Sequence, residues 1–261
     1  MNNIGAVVSF SANEYKFLAP CLKELHRFCD QIVVSYGDHL YDGTPENLEL
    51  IQKAKSEHQD LQFIEFAYDG RFKNLGTMFW GGFQRVVGLE ALRASMEYVL
   101  LIDVDEIIES RLFMRLLRES NYRNYNFLSL VSFWYFGSTS MQATQLEEGP
   151  IMVKRAVLQP GWLVTPADRG ILKAIIPDPK LSTVTYGDKP MVHHYSWVRS
   201  KEEMLQKVKS WGHNKDRDWT KLVEEHFARP ESERCGEGFR DFVHGYSYTK
   251  VIPYISMEDK K

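Results

Sequence analysis

Two aspartates separated by one residue, Asp103 and Asp105, carry the clearest chemical signal in the chain. They directly follow an apolar run at residues 98–102, so a buried strand would end where the two carboxylates begin. Hard divalent cations such as Mg²⁺ and Mn²⁺ bind oxygen ligands of this kind, usually together with substrate phosphates. The pattern indicates a cation site at the end of a strand. Two solvated acids at a helix start would give the same pattern, because the helix dipole favours them.

The segments that would position this motif alternate between strand and helix patterns. Continuous apolar runs at residues 4–10, 31–35, 61–66 and 98–102 predict buried strands. Helical spacing at 18–29 and 78–95, and the N-cap pattern of Thr44-Pro45-Glu46, predict helices between them. This alternation is typical of parallel βαβ units. We therefore predict an α/β fold with a mostly parallel central sheet flanked by helices.

Polar or acidic side chains follow all four predicted strands. Ligands of parallel sheets bind at the carboxyl ends of the strands, and these ends share one edge of the sheet. We therefore expect exposed carboxylates around a ligand site at this edge. The residues concerned are Ser11, Asn13 and Glu14 after the first strand, Asp38 and Asp42 after the second, Asp69 after the third, and Asp103 and Asp105 after the fourth.

The second half of the chain has a different pattern. Residues 126–136 predict a long aromatic strand, and residues 137–190 are rich in glycine, proline and threonine. Ser200 and Glu203 form a capping-box pattern, which starts a helix that runs to about Trp211. Because no repeat or linker separates the two halves, we predict a single domain over residues 1–261.

Composition argues against several classes of protein. The 32 Lys and Arg stand against 35 Asp and Glu, so the chain lacks the basic surplus of a nucleic-acid-binding protein. Six Trp, 13 Tyr and 15 Phe bury too much apolar area for a disordered chain. No apolar run is long enough to span a membrane, and no secretory-signal pattern is present. We expect a cytoplasmic protein whose three cysteines, Cys21, Cys29 and Cys235, are reduced.

The first 110 residues resemble one known family in the order and spacing of their motifs. Residues 97–106, Glu-Tyr-Val-Leu-Leu-Ile-Asp-Val-Asp-Glu, resemble the strand and Asp-x-Asp motif of GT-A-fold glycosyltransferases, particularly the family 2-like group. The segment 11–14 resembles the Asn-Glu that follows strand one in that group, and 37–46 resembles its acidic loop after strand two. The Ala-Arg-Asn element of the family has no recognisable counterpart in residues 78–88.

This resemblance implies a single GT-A catalytic domain. Residues 1–110 would form the nucleotide-sugar and metal-binding half, and residues 111–261 would form the acceptor-side half with its C-terminal helices. The bound ion would be Mn²⁺ or Mg²⁺. By the resemblance, Asp105 is the principal metal ligand, Asp103 binds the metal through water or binds the donor ribose, Asp38 or Asp42 contacts the base, and Ser11, Asn13 and Glu14 line the nucleotide pocket.

A histidine pair in the second half, His193 and His194, resembles the late metal ligand of the same group. Adjacent residues of an extended segment point in opposite directions, so only one of them is expected to bind the metal. We favour His194. An imidazole beside carboxylates suits Mn²⁺ better than Mg²⁺.

Further candidates for phosphate binding and acceptor activation lie in the second half. Lys173, Lys207 and His213 are candidates for the diphosphate, although Lys173 would equally reach solvent. An inverting transfer needs a carboxylate as general base. The candidates are Glu147, Glu148, Asp168 and Asp178, of which we favour Glu148 or Asp168. Trp134 and Tyr135 either stack on a sugar or pack in the core.

The leading interpretation is a metal-dependent glycosyltransferase that moves a sugar from a nucleotide-diphosphate sugar to a hydroxyl of a glycan or other acceptor. The resemblance implies a UDP-sugar as donor. One alternative is a haloacid-dehalogenase-like phosphatase or phosphotransferase with Asp103 as nucleophile, and another is a non-catalytic sugar- or nucleotide-binding module. A sugar-nucleotide pyrophosphorylase would need a glycine-rich basic loop after the first strand, which residues 11–14 do not provide.

Overall fold

A mixed β-sheet organises the part of the chain that the structure, a computed structural model, describes: residues 2–165, 169–234 and 238–256. The strands are β1 (Ile4–Ser9), β2 (Gln31–Gly37), β3 (Gln62–Phe66), β4 (Tyr98–Asp103), β5 (Glu106–Ile108), β6 (Phe127–Phe136), β7 (Met141–Lys154), β8 (Lys180–Val184), β9 (Val192–Trp197) and β10 (Tyr248–Lys250). The helices are α1 (Tyr15–Leu25), α2 (Leu48–Glu57), α3 (Thr77–Ala91), α4 (Ser110–Glu119), α5 (Leu172–Ile175), α6 (Lys201–Ser210), α7 (Trp219–Ala228) and α8 (Glu231–Arg234).

The first four strands form a parallel array in the order β3-β2-β1-β4. Every residue of β1 is buried, as expected for a strand with helices on both faces. Ser9 at the end of β1 is in register with Ser35 in β2 and with Asp103 in β4. The carboxyl ends of these strands therefore meet at one edge. The predicted fold class is confirmed.

The remaining strands make the sheet mixed. The long strand β7 pairs antiparallel with both β4 and β6, while β6 pairs parallel with β9. The sequence does not predict β7, because Gly149 and Pro150 interrupt its pattern. Gly149 packs closely against β6, since a Cβ atom would lie 1.9 Å from Oγ of Ser132 and that side chain would have to move.

Helices cover both faces of the parallel strands. On one face α1 packs against the sheet and contributes to the largest of three hydrophobic clusters in the described core. The side chains that it buries there include Phe17, Leu18, Leu22 and Leu25. On the other face α3 contacts β1 and β2. Gly88 of α3 lies so close to Val7 of β1 that a Cβ atom would come within 2.4 Å of a valine methyl.

Two helix starts illustrate how local capping decides the boundaries. The helix predicted to begin at Thr44 begins instead at Leu48, because the Asn47 side chain accepts a hydrogen bond from the Leu50 N–H at 3.2 Å. Pro45 pairs with His39 in a short bridge. The capping box at Ser200 is confirmed, since its Oγ accepts from the Glu203 N–H and its N–H donates to the Glu203 carboxylate.

Within the described ranges, no helix combines the length and the apolar character that crossing a lipid bilayer requires.

Candidate functional site

A cavity of about 590 Å³ lies at the carboxyl ends of β1, β2 and β4. Its size is in the range of small-molecule and cofactor sites. The loops that follow these three strands form one wall, the start of α3 forms a second, and α6 with the residues after it closes the opposite side. Asp103 and Asp105 both line this cavity, as the sequence predicts.

Asp103 is held by two arginines from different parts of the chain. The Arg85 guanidinium on α3 donates to both carboxylate oxygens, at 3.0 and 3.2 Å, and Arg169 Nη1 lies 3.3 Å from Oδ2. The Glu106 carboxylate accepts from the Asp103 N–H at 2.8 Å and also pairs with Arg169. Burial raises the pKa of Glu106, while the nearby Arg169 opposes this shift. The end of β4 is thus an ion-pair cluster.

Asp105 lies in a second cluster and is only 2% exposed. Its Oδ1 lies 3.5 Å from His194 Nε2, and its Oδ2 lies 3.1 Å from an Arg199 nitrogen and 3.8 Å from Lys207 Nζ. The expectation of an exposed carboxylate is therefore wrong for Asp105. The reason is that β5 starts at the next residue and pairs with β9, which encloses the Asp105 side chain.

Glu14 shares the cations of Asp105. The Arg199 guanidinium lies 2.6 Å from the Glu14 carboxylate, and Lys207 Nζ lies 3.7 Å from it. Burial and the neighbouring Asp105 charge raise the pKa of Glu14 to about 7. Burial also acts to raise the pKa of Asp105, but Lys207, His194 and Arg199 outweigh it and hold that pKa below its usual range. The pKa values of the two carboxyl groups are therefore shifted in opposite directions.

The arrangement of these side chains does not fit the predicted divalent cation. Each carboxylate oxygen of Asp103 and Asp105 already faces a guanidinium, an ammonium or the His194 ring. Within residues 2–165, 169–234 and 238–256, no group of three or more His, Cys, Asp or Glu side chains is placed to hold a metal ion. Dependence on Mn²⁺ or Mg²⁺ stays a prediction from the sequence.

The two adjacent histidines of β9 point in opposite directions, as predicted. His194 lines the cavity beside Asp105. His193 is buried on the other face, where its ring nitrogens contact the Tyr135 hydroxyl at 2.7 Å and the Glu109 carboxylate at 3.1 Å. Tyr135 is accordingly a core residue, and of the two aromatic candidates on β6 only Trp134 reaches the cavity.

The loop after β1 places Ser11, Asn13 and Glu14 on the wall of the cavity. Ser11 Oγ donates to the Glu46 carboxylate at 2.7 Å, and Asn13 Nδ2 donates to the Glu203 carbonyl at 3.1 Å. The Asn13 Oδ1 atom is buried and has no hydrogen-bond partner among the described residues. This wall of the cavity is therefore built from polar side chains that are largely held by hydrogen bonds to other parts of the chain.

The loop after β2 contributes different residues from those predicted. Asp38 accepts from the Tyr68 N–H at 2.7 Å, and Asp42 accepts from the Thr44 N–H at 2.9 Å. Both are turn-forming acids, and neither is among the side chains that line the cavity. The same loop instead places His39, Tyr41 and the Glu46 carboxylate on the cavity wall.

The acceptor-side candidates divide into those at the cavity and those away from it. The candidates that line the cavity are Lys207, His213, Glu147 and Glu148. The Glu148 carboxylate forms a salt bridge with Lys173 at 2.6 Å and accepts a hydrogen bond from Ser129 Oγ at 3.1 Å. Lys173 itself and the exposed Asp178 lie outside the cavity lining. Asp168 lies outside the described residues.

The arginines of the site are missing from the predictions. Arg85 could have been found from the sequence, because its helix α3 carries small and polar residues at helical spacing on one face. Such residues on a buried face indicate a close approach or a buried polar contact. They are Gly81, Gln84, Arg85 and Gly88. Arg199 stands directly before the N-cap of α6, so the capping box also positions this side chain. Arg169 gives no comparable signal in the sequence.

No family model and no curated protein matches the sequence. Among solved structures, S. aureus TarS 1–349 in complex with UDP-GlcNAc is similar at 13% identity, over 86% of this chain and 72% of TarS, with a TM-score of 0.50. The chain has a GT-A-like fold. The chain is also similar to the glycosyltransferase GlyE of Streptococcus pneumoniae TIGR4, at 13% identity over 86% of this chain and 63% of that one, with a TM-score of 0.42. The inositol-1-phosphate CTP transferase of T. maritima is similar at 10% identity over 85% of this chain and 96% of that one, with a TM-score of 0.45.

Proposed function

We propose that this protein is a glycosyltransferase that moves a sugar from a nucleotide-diphosphate sugar, with UDP as the nucleotide, to a hydroxyl of a glycan or another acceptor. The observation that carries the proposal is the cavity of about 590 Å³ at the carboxyl ends of β1, β2 and β4, in a fold shared with TarS. TarS is in complex with UDP-GlcNAc in the structure to which this chain is similar. The cytoplasmic location predicted from the sequence is part of the proposal.

The wall composition supports separate places for the parts of the donor. His39 and Tyr41 offer ring faces and polar atoms to a nucleobase, and the cationic cluster beside Asp103 and Asp105 suits a diphosphate. Trp134 lies beyond this cluster and offers its indole to a sugar. Holding donor and acceptor in fixed orientation supplies a large part of the rate enhancement in such transfers.

An inverting transfer needs a carboxylate that accepts the proton of the acceptor hydroxyl. Glu147 is placed for this role, because it lines the cavity and its Oε1 lies 3.5 Å from His244 Nε2. Trp134 separates it from the Asp105 cluster, with its ring edge-on to His244 at 5.1 Å and to His194 at 4.7 Å. A protonated Glu147 would pass its proton toward His244 and solvent.

The test is product identification with purified protein, UDP-sugars and a panel of hydroxyl acceptors, with Mn²⁺, Mg²⁺ or EDTA present. Release of UDP together with a glycosylated acceptor supports the proposal. Release of pyrophosphate from a nucleoside triphosphate and a sugar phosphate would instead identify a nucleotidyltransferase. A trapped aspartyl-phosphate at Asp103 would identify a phosphatase, and donor binding without any turnover would identify a binding module.

A further inference from the structure

Among the described residues, the lysine and arginine side chains around Asp103 and Asp105 equal in number the carboxylates that they contact. The carboxylates are Glu14, Asp103, Asp105 and Glu106, and the cations are Arg85, Arg169, Arg199 and Lys207. Three of the four cations line the cavity, whereas Arg199 is fully buried behind it. The carboxylates are therefore already compensated by the protein's own cations, which leaves them without the unpaired charge that would hold a divalent cation beside a diphosphate.

We infer that the donor diphosphate is bound directly by Lys207, Arg169 and Arg85, without a divalent cation. In this arrangement Asp103 and Asp105 are positioning residues, which hold the cations in place and do not ligate a metal. The inference rests on the proposed function and names the groups that recognise the diphosphate in the same cavity.

Lys207 is the strongest of these phosphate ligands. Its Nζ lies 3.7 Å from Glu14 and 3.8 Å from Asp105, beyond hydrogen-bond distance from both, and no hydrogen bond of this ammonium occurs among the described residues. The side chain is 13% exposed and lines the cavity. An ammonium group has three N–H donors, so a phosphate oxygen in the cavity would gain charge-assisted hydrogen bonds that the protein itself does not supply.

Arg85 and Arg169 provide the second half of the diphosphate site. Both are about nine-tenths buried, and both are fixed by Asp103. A planar guanidinium matches the geometry of phosphate oxygens. Because Asp103 already orders both side chains, binding a phosphate would cost little additional side-chain entropy.

Arg199 has a different task. It pairs with Glu14 and Asp105 from the buried side, at 2.6 and 3.1 Å, and it does not line the cavity. Its charge offsets carboxylates that would otherwise repel an incoming diphosphate. This buried guanidinium lets the cavity accept an anion although two acids of the motif face it.

The experiment is calorimetric titration of UDP into protein that has been freed of metal with EDTA, and into the same protein with Mn²⁺ added. We expect affinities that agree within about threefold. Lys207→Ala should weaken UDP binding by about tenfold or more, because a charged hydrogen-bonding group is lost. Lys209→Ala is the matched control, since Lys209 is an exposed cation on the same helix. Lys207→Arg should retain most of the affinity. Circular dichroism checks that each variant is folded.

The outcomes separate this inference from the proposed function. UDP binding that requires Mn²⁺ would overturn the inference and leave the glycosyltransferase proposal standing. Equal UDP affinity of Lys207→Ala and the wild type would overturn the role of Lys207. If no nucleotide or nucleotide sugar binds with or without Mn²⁺, both proposals fail. The comparison of EDTA with Mn²⁺ uses wild-type protein, so it decides the question even if Lys207→Ala does not fold.

Discussion

The guanidinium of Arg85 donates to both carboxylate oxygens of Asp103, at 3.0 and 3.2 Å, and so ties α3 to the end of β4. Arg85 is buried on the helix face that packs against the sheet, and Asp103 is the last residue of its strand. The contact fixes the orientation of an acid for which the family resemblance implies binding to a metal through water or to the donor ribose. It also places a cation on the cavity wall.

We predict that Arg85→Met lowers the free energy of unfolding by about 2 kcal/mol, because it leaves a half-buried carboxylate with one cation fewer. Adding Asp103→Asn to Arg85→Met should recover part of the lost free energy of unfolding. A double-mutant cycle measured by urea unfolding should therefore give a coupling energy between the two residues of about 1 kcal/mol or more. Arg93→Met, at an exposed position, is the control. A coupling energy near zero would show that the pair does not stabilise the fold.

Two neighbouring glycines of α3 give a second prediction. A Cβ atom at Gly82 would lie 1.9 Å from the backbone oxygen of Leu163, whereas a Cβ atom at Gly81 would find the Tyr41 ring at an ordinary 3.5 Å. Gly82→Ala should therefore destabilise the protein by about 2 kcal/mol or more. Gly81→Ala should be neutral or stabilising by about 0.5 kcal/mol, since alanine is the better helix former. Thermal and urea unfolding of both variants test this prediction. Equal free energies of unfolding for the two variants would contradict the close packing of Gly82 against Leu163.

The adjacent acids Glu147 and Glu148 are expected to differ in function. Glu148 is bonded to Lys173 and Ser129, while Glu147 faces the cavity beside His244. In a transfer assay, Glu147→Gln should lower kcat by about a hundredfold, the effect typical of losing a general base, and leave the affinity for UDP unchanged. Glu148→Gln should lower kcat by less than about tenfold. The reverse order would restore Glu148 as the candidate that the sequence favours.

His226 makes the fold sensitive to acid. It is buried among aromatic side chains, and burial, with Arg229 and Arg234, lowers its pKa to about 4. The unfolded chain takes up a proton near the usual pKa of 6.5, but the folded chain does not, so this group destabilises the fold as the pH falls from about 6.5 toward 4.

His226→Phe should therefore reduce the loss of stability between about pH 7 and pH 5 by about 1 kcal/mol, a value that allows for solvent screening. Urea unfolding at both pH values measures it, and His26→Gln, at a half-exposed position, serves as the control. An unchanged pH dependence in His226→Phe would remove this histidine as a cause.

Sequence reasoning predicts the parallel half of the fold well, because β1, β2 and β4 are apolar runs that end at a common polar edge. The edge strand β3 is less buried than the prediction of a buried strand implies, since Gln62 and Glu65 are exposed. Sequence reasoning also places Asp103, Asp105, His194 and Lys207 at one cavity. It does not predict β7, where the pattern is interrupted at Gly149.

The family resemblance assigns the base contact to Asp38 or Asp42. The sequence does not distinguish a loop acid that forms a turn from one that faces a ligand. The hydrogen bonds of Asp38 to Tyr68 and of Asp42 to Thr44 decide in favour of turns. The ion pairs of Asp105 depend on Arg199 and Lys207, about a hundred residues away, and no local pattern shows such contacts.

The interpretation from sequence depends on Asp103 and Asp105 facing a cleft and holding a cation. They face the cleft, but their oxygens are in ion pairs with the protein. The proposal of glycosyl transfer therefore rests on the cavity and the GT-A-like fold. It does not rest on a divalent cation bound to these two aspartates.

The central claim is that a nucleotide diphosphate occupies the cavity between the ends of β1, β2 and β4 and helix α6. A crystal structure of the protein grown with saturating UDP tests this most directly. We predict the diphosphate within hydrogen-bond distance of Lys207 Nζ and the base beside His39 and Tyr41. UDP bound elsewhere on the molecule, with this cavity occupied by solvent alone, would contradict the account.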